Sequence, residues 1–311
     1  MKRICASTIL AVLLIGALWG LTGCTGLRAS AYKNPERYTA GDAVLTDEID
    51  RIEIDWASGS VRVLAHDGEG VRLSEVAKEG LPEELRMRWW LDGRTLRIQF
   101  SASDAGLRLV GDWRKELTLA LPEGLRLDSV VIKAASAEVD IDDLATEALS
   151  VSTASGDMRI ICEAASIQLD SASGGIQLDQ MGSAASVDVD TASGRIDATL
   201  DHAEGAQFES ASGDIHLAAA SVEALSVKSA SGDVDCALAS TPSSCELHAA
   251  SGEVALGLPE DADFTAEVRT TSGDFESDFA MRRDGGSYVC GSGDAHVRTE
   301  TTSGDVSIRP N

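Results

Sequence analysis

A Ser-Gly dipeptide returns at nearly fixed intervals through the second half of this 311-residue chain, and that spacing constrains the fold more than any other feature. The glycines are Gly156, Gly174, Gly194, Gly213, Gly232, Gly252, Gly273 and Gly293, spaced by 18 to 21 residues, followed by Gly304 after only 11. Ser136-Ala137 is a degenerate earlier copy, and "WASGSVRV" at 56–63 is another. Taking each Gly as position zero, positions −7, −5, +2 and +4 are mostly apolar, as in Leu149, Val151, Met158 and Ile160. The residues between them are mostly polar, and position −3 is small. Such period-two alternation on both sides of a turn describes strands with one buried face. One strand-turn-strand unit cannot bury that face alone, whereas stacked copies can.

The expected fold class is therefore all-β: a single-stranded parallel β-helix (a β-solenoid) with coils of about 19–20 residues, right-handed by the usual preference of parallel connections. A left-handed hexapeptide helix would need a six-residue period, which the sequence lacks. Ser155 and Gly156, and the equivalent pairs down to Gly304, are expected at the corners, where Gly permits positive φ and Ser satisfies backbone groups. The 11-residue spacing suggests a shortened terminal coil or hairpin.

Domain boundaries follow from pattern changes. Residues 130–311 are the expected solenoid with its C-terminal cap. Residues 47–129 alternate in short stretches ("RIEID", "SVRVL", "TLRIQF") broken by "HDGEG" and "LPEG", which reads as a hairpin-rich N-terminal cap. Four of the five tryptophans, Trp56, Trp89, Trp90 and Trp113, fall there, either as the cap's core or, for the Trp89-Trp90 pair, as a sugar- or protein-contacting surface. Lys2 and Arg3, an apolar run at 4–19 and "LTGC" at 21–24 resemble a bacterial lipoprotein signal. That resemblance implies a signal peptide over 1–23, cleavage after Gly23, lipid on Cys24, a tether over 24–46 and an extracytoplasmic, membrane-anchored protein.

The repeated "SGD" turns, "LTLALPEG" at 117–124 and the closing "TTSGDVSI" at 301–308 complete a second resemblance. The chain resembles the bacterial putative-adhesin domain of unknown function that occurs in Lia-type envelope-stress loci, over nearly all of 47–311. The resemblance implies a solenoid at the cell surface and supplies no catalytic residues.

The formal net charge of −25 disfavours nucleic acid and favours cations or basic partners. Stacking aligns carboxylates into ladders: Asp157, Asp214 and Asp233 at +1; Asp170, Asp190 and Glu209 at −4; Asp197, His216 and Asp235 at +3. Two carboxylates about 5 Å apart repel by only about 0.8 kcal/mol in water, so a solvated acidic face is one reading. Calcium bound by Asp170, Asp190 and Glu209 is the other, since calcium takes oxygen ligands. An envelope protein, a cationic peptide and a glycan are the expected partner classes. The five His residues have no evident nucleophile partner and no GxSxG elbow occurs, so no catalytic residue is assigned. Beyond adhesion or stress signalling, the alternatives are a purely structural envelope protein and a carbohydrate-active β-helix enzyme. Cys236 and Cys245 sit at inward positions as buried thiols or a bridge, and the state of Cys162 and Cys290 is open.

Overall fold

The computed structural model describes residues 32–103, 105 and 114–311. The signal segment, Cys24 and Trp113 lie outside the described residues.

The repeats form strands that pair in parallel with like positions in register. Met158–Ser171 pairs with Ile176–Thr191 (Ile176 opposite Met158, Val189 opposite Leu169). Ile176–Thr191 pairs onward with Ile196–Ser210, and that strand with Ile215–Ser229. We call each repeat a rung. Within a rung the alternation slips once, for example between Ala164 and Ile167, both buried. The slip divides each rung into two arms, one after the Gly corner and one before it. Buried positions of both arms belong to one continuous apolar core. This is an all-β, solenoid-like arrangement of mostly parallel strands with antiparallel additions at its ends.

The early copy at 56–63 is part of the stack: Arg51–His66 pairs in register with Arg126–Thr153, setting Gly59 opposite Ala137. The outer edge of Arg51–His66 is covered by Thr95–Gln99 and Lys115–Pro122, which carry the antiparallel partners Arg88–Asp92 and Val71–Ala77. The tether expected over 24–46 ends early. Thr39–Ala40 pairs with Arg88–Asp92, and Ala43–Leu45 with Val71–Ala77. Strands of two and three residues are too short to show as alternation.

Trp56 is fully buried, with Phe100 edge-on at 5.0 Å. Trp89 packs against the core, while Trp90 faces the other way, taking Tyr38 edge-on at 5.6 Å and the Arg37 guanidinium at 5.4 Å. Strand geometry sends adjacent rings to opposite faces, so the pair is divided between core and surface.

Sequence order fails at the far end. Ser244–Ser251 does not pair with the next copy, Phe264–Ser272, although Gly252 and Gly273 stand at an ordinary repeat spacing. The C-terminal strand Ala295–Ser303 inserts between them, pairing in parallel with both. Val306–Pro310 likewise inserts between Val254–Leu258 and Phe275–Ser277. The chain reaches this slot through a hairpin, Arg282–Asp284 against Ser287–Cys290. Gly293 is therefore not a corner. It lies in the turn leading into the inserted strand, with φ +81 and Thr265 Oγ1 donating to its carbonyl at 3.0 Å.

Candidate functional site

The corner is the first place to look, because it recurs on nearly every rung. Gly156, Gly174, Gly213, Gly232, Gly252, Gly273 and Gly304 have φ between +141 and +157, which only glycine adopts without strain. Gly194 is not in the positive-φ set, yet it too needs to be glycine, because a Cβ there would meet the Gly174 carbonyl oxygen. Ala137, within the strand Arg126–Thr153, is not among the residues with positive φ and carries its methyl there.

The corner serines act differently from the sequence expectation. Ser155, Ser173, Ser193, Ser212 and Ser231 are exposed. The bend is satisfied by main chain: Gly156 N–H donates to Ser173 O at 3.2 Å, and Gly213 N–H to Ser231 O at 3.0 Å. The buried hydroxyls are instead at −3, in Thr153, Ser171, Thr191, Ser210 and Ser229.

The +1 carboxylates have a structural task. Asp157 Oδ1 accepts from the Gly175 N–H at 2.8 Å, Asp214 from Asp233 N–H at 3.0 Å, Asp233 from Glu253 N–H at 2.8 Å and Asp305 from Asp274 N–H at 2.8 Å. Each clips its rung to the next through a charge-assisted hydrogen bond. Gly175 has no side chain and Arg195 is a donor, so the ladder is interrupted there.

The strongest electrostatic feature is the arm before the corner. Asp170, Asp190 and Glu209 are consecutive rungs of one row, continued by Lys228, His248, Glu300 and Arg269. Asp188 lies beside them, two residues from Asp190, on the same outward face. Burial, then repulsion from Asp188, Glu209 and Asp170, pushes the Asp190 carboxyl up to about 7, against an opposing pull from Lys228. Asp170 and Asp188 are also raised, each chiefly by burial. Glu209 is held by Lys228, Nζ to Oε1 2.6 Å. The carboxylates form a row and not a shell, and among the described residues no three His, Cys, Asp or Glu side chains are grouped to hold a metal ion.

A folded-state value near 7 against an unfolded value near 4 means that the folded protein binds more protons over this window. Asp190 therefore favours the folded state below about pH 4, and the contribution is lost as pH rises through 7. Melting is expected about 4–8 °C higher at pH 5 than at pH 8 from this group, taking about 2 kcal/mol after solvent screening. Asp190→Asn should remove that difference, as read by calorimetry at the two pH values.

The other arm carries Asp197, His216 and Asp235 on consecutive rungs, as expected. With Gln177, Asp179 and Thr199 they line a shallow open groove. His216 Nδ1 is 3.7 Å from Asp235 Oδ2. Leu178, Leu217 and alanines share the lining with these polar side chains, and the groove is open to solvent.

Lys115 is a functional-looking residue that the sequence reading passed over. Its side chain is fully buried, and its ammonium donates to Glu75 Oε1 at 2.5 Å, to Leu85 O at 2.7 Å and to Phe100 O. The nitrogen stands 4.0 Å from the Phe100 ring centroid and 4.9 Å from that of Trp56. Burial, opposed by Glu75, lowers its pKa to about 8. All three donor positions are used, so Lys115 pins the N-terminal strands rather than awaiting a ligand. Lys115→Met leaves Glu75 buried without its cation and is expected to cost about 3–5 kcal/mol, read as a lower urea midpoint.

Among the described residues the cysteines are not bridged. Cys162, Cys236 and Cys245 are buried free thiols, and Cys290 is partly exposed. Burial pushes Cys162 and Cys245 up to about 12, and Cys236 well above its ordinary value, so none of the three is a ready nucleophile.

The stacked arms, Gly corners and antiparallel end coincide with a match to the Toastrack DUF4097 family over residues 49–309. The chain belongs to the DUF4097 family. Similar solved structures include a "putative adhesin" from Parabacteroides merdae, 11% identical, covering 88% of this chain and 96% of that one with a TM-score of 0.42. Another, a "putative lipid binding protein" from Parabacteroides distasonis, is 12% identical over 88% and 97% of the two chains, with a TM-score of 0.37. A "putative adhesin" from Bacteroides fragilis is 13% identical over 91% and 99%, with a TM-score of 0.33. No curated protein matches the chain.

Proposed function

We propose that this DUF4097 protein is a non-enzymatic, extracytoplasmic binding scaffold: a right-handed parallel β-solenoid held to the membrane through lipid on Cys24, presenting acidic arms to cationic peptides or basic segments of envelope proteins. The observation that carries this reading is the Asp170–Asp190–Glu209 row beside Asp188, where burial together with crowding raises a carboxyl to about 7. A surface holding excess negative charge at a measurable cost gains from a polycation that relieves it. Family membership and the adhesin label of some similar structures agree with a surface role.

The test is titration of the protein with polylysine at rising salt. Affinity is expected to fall at least about tenfold between 50 and 300 mM salt, and to weaken when Asp170, Asp190 and Glu209 are changed to their amides. Affinity that does not respond to salt overturns the electrostatic basis. The anchor has its own check: mass spectrometry of the mature N-terminal peptide should find lipid on Cys24, and an unmodified Cys24 overturns it.

A further inference from the structure

The inserted C-terminal strand carries charges complementary to those at the register positions on both sides of it. Arg298 lies between Glu246 and Glu267, and Glu300 between His248 and Arg269. His248 Nδ1 is 3.8 Å from Glu300 Oε2. Without this strand, closing the gap in sequence order would set Glu246 against Glu267. Like charges directly opposite in a sheet are destabilising, so the gap is built to stay one strand wide. Thr299 and Thr301 point into the core from one arm, and Val306 and Ile308 from the other. The strand thus fits a slot with defined chemistry on both edges, and it follows the preceding hairpin through the turn at 291–294. That turn holds two glycines at φ +59 and +81 and a Ser292 N–H to Asp263 Oδ1 bond of 3.0 Å.

We propose that Ala295–Pro310 is an exchangeable strand whose second acceptor is the same slot in another copy of this chain, giving a reciprocal strand-swapped dimer. Every contact the strand makes at home is available unchanged in the partner, so the two forms differ only in the turn and in the entropy of association. The paired edges set the register in both. The slot selects for Arg at one outward position and Glu two residues later, which restricts exchange to strands of this sequence.

The experiment uses the full chain in detergent, with Cys290→Ser throughout. One population keeps Cys245. The other carries Val297→Cys with Cys245→Ser, because residues 245 and 297 are register partners. After mixing at about 50 µM, warming below the melting point and mild oxidation, a disulfide is mapped by mass spectrometry between Cys245 of one chain and the cysteine introduced at position 297 of the other. It is expected in at least about a tenth of the chains. Adding Arg298→Glu and Glu300→Arg to the donor should lower that yield about fivefold. A single chain holding Cys245 and Val297→Cys is the control. If it closes its bond internally while no bond forms between chains, the strand does not exchange and the proposal fails.

Discussion

Gly213→Ala is expected to divide the stack. A Cβ at this position would run into the carbonyl oxygen of Gly194, which is backbone and has nowhere to go. The φ of +151 adds strain of its own. Relief requires the two corners to move apart, which breaks the Gly194 N–H to Ser212 O bond of 3.1 Å and opens the buried faces on either side. The cost is expected to exceed about 4 kcal/mol, a value reached only when a core feature is lost. In a stacked-repeat protein each unit leans only on its neighbours, so the damage appears as loss of cooperativity. Two unfolding steps should replace one in a urea titration. Gly285→Ala is the control: it has φ +62 but nothing within 4 Å, and should cost only about 1–2 kcal/mol. Equal effects from the two would show that the close approach does not govern the corner.

Deleting residues 294–311 is expected to release more than it removes. The strand Phe264–Ser272 pairs with Ala295–Ser303 and, over Phe264–Ala266, with the hairpin strand Ser287–Cys290. Phe275–Ser277 pairs with Val306–Ile308. Without the inserted strand this whole unit loses its attachment to the Gly252 rung. Four buried apolar side chains go directly, Ala295 together with Val297, Val306 and Ile308, the last three at about 1.5–3 kcal/mol each. Hydrogen exchange should then show residues 264–290 unprotected while strands from Arg51 to Ser229 keep their protection. Protection retained at 264–272 would mean that this unit finds another partner when the strand is gone.

Much of this architecture was legible because a repeat reports its own geometry. Leu149, Val151, Met158 and Ile160 announce a buried face by parity, and the stacked register follows from copies of equal length. What escaped notice depends on contacts that spacing does not encode. Gly252 and Gly273 are one ordinary interval apart, so sequence order implies that they touch, and only the 11-residue interval before Gly304 hints otherwise. Gly293 matches the corner dipeptide, but the strand after it, Ala295–Ser303, is the arm that precedes the Gly304 corner. Lys115 did leave a signal: it shares parity with Leu117, Leu119 and Leu121, so alternation alone puts its side chain inside. The candidate site was legible as a ladder of acids. The division of labour within it was not, since the +1 carboxylates bond to backbone while the −4 row repels itself, and both look alike as charge.

The inserted strand also sets a timetable. Rungs through Gly252 can form in the order in which the chain emerges from the ribosome, each template already present for the next. The following segment, 264–290, arrives before the strand that must lie beneath it. Its docking waits until residues 295–310 have been made, so the far end cannot close in step with synthesis. A chain that stops short of residue 295 is left with an unfilled slot.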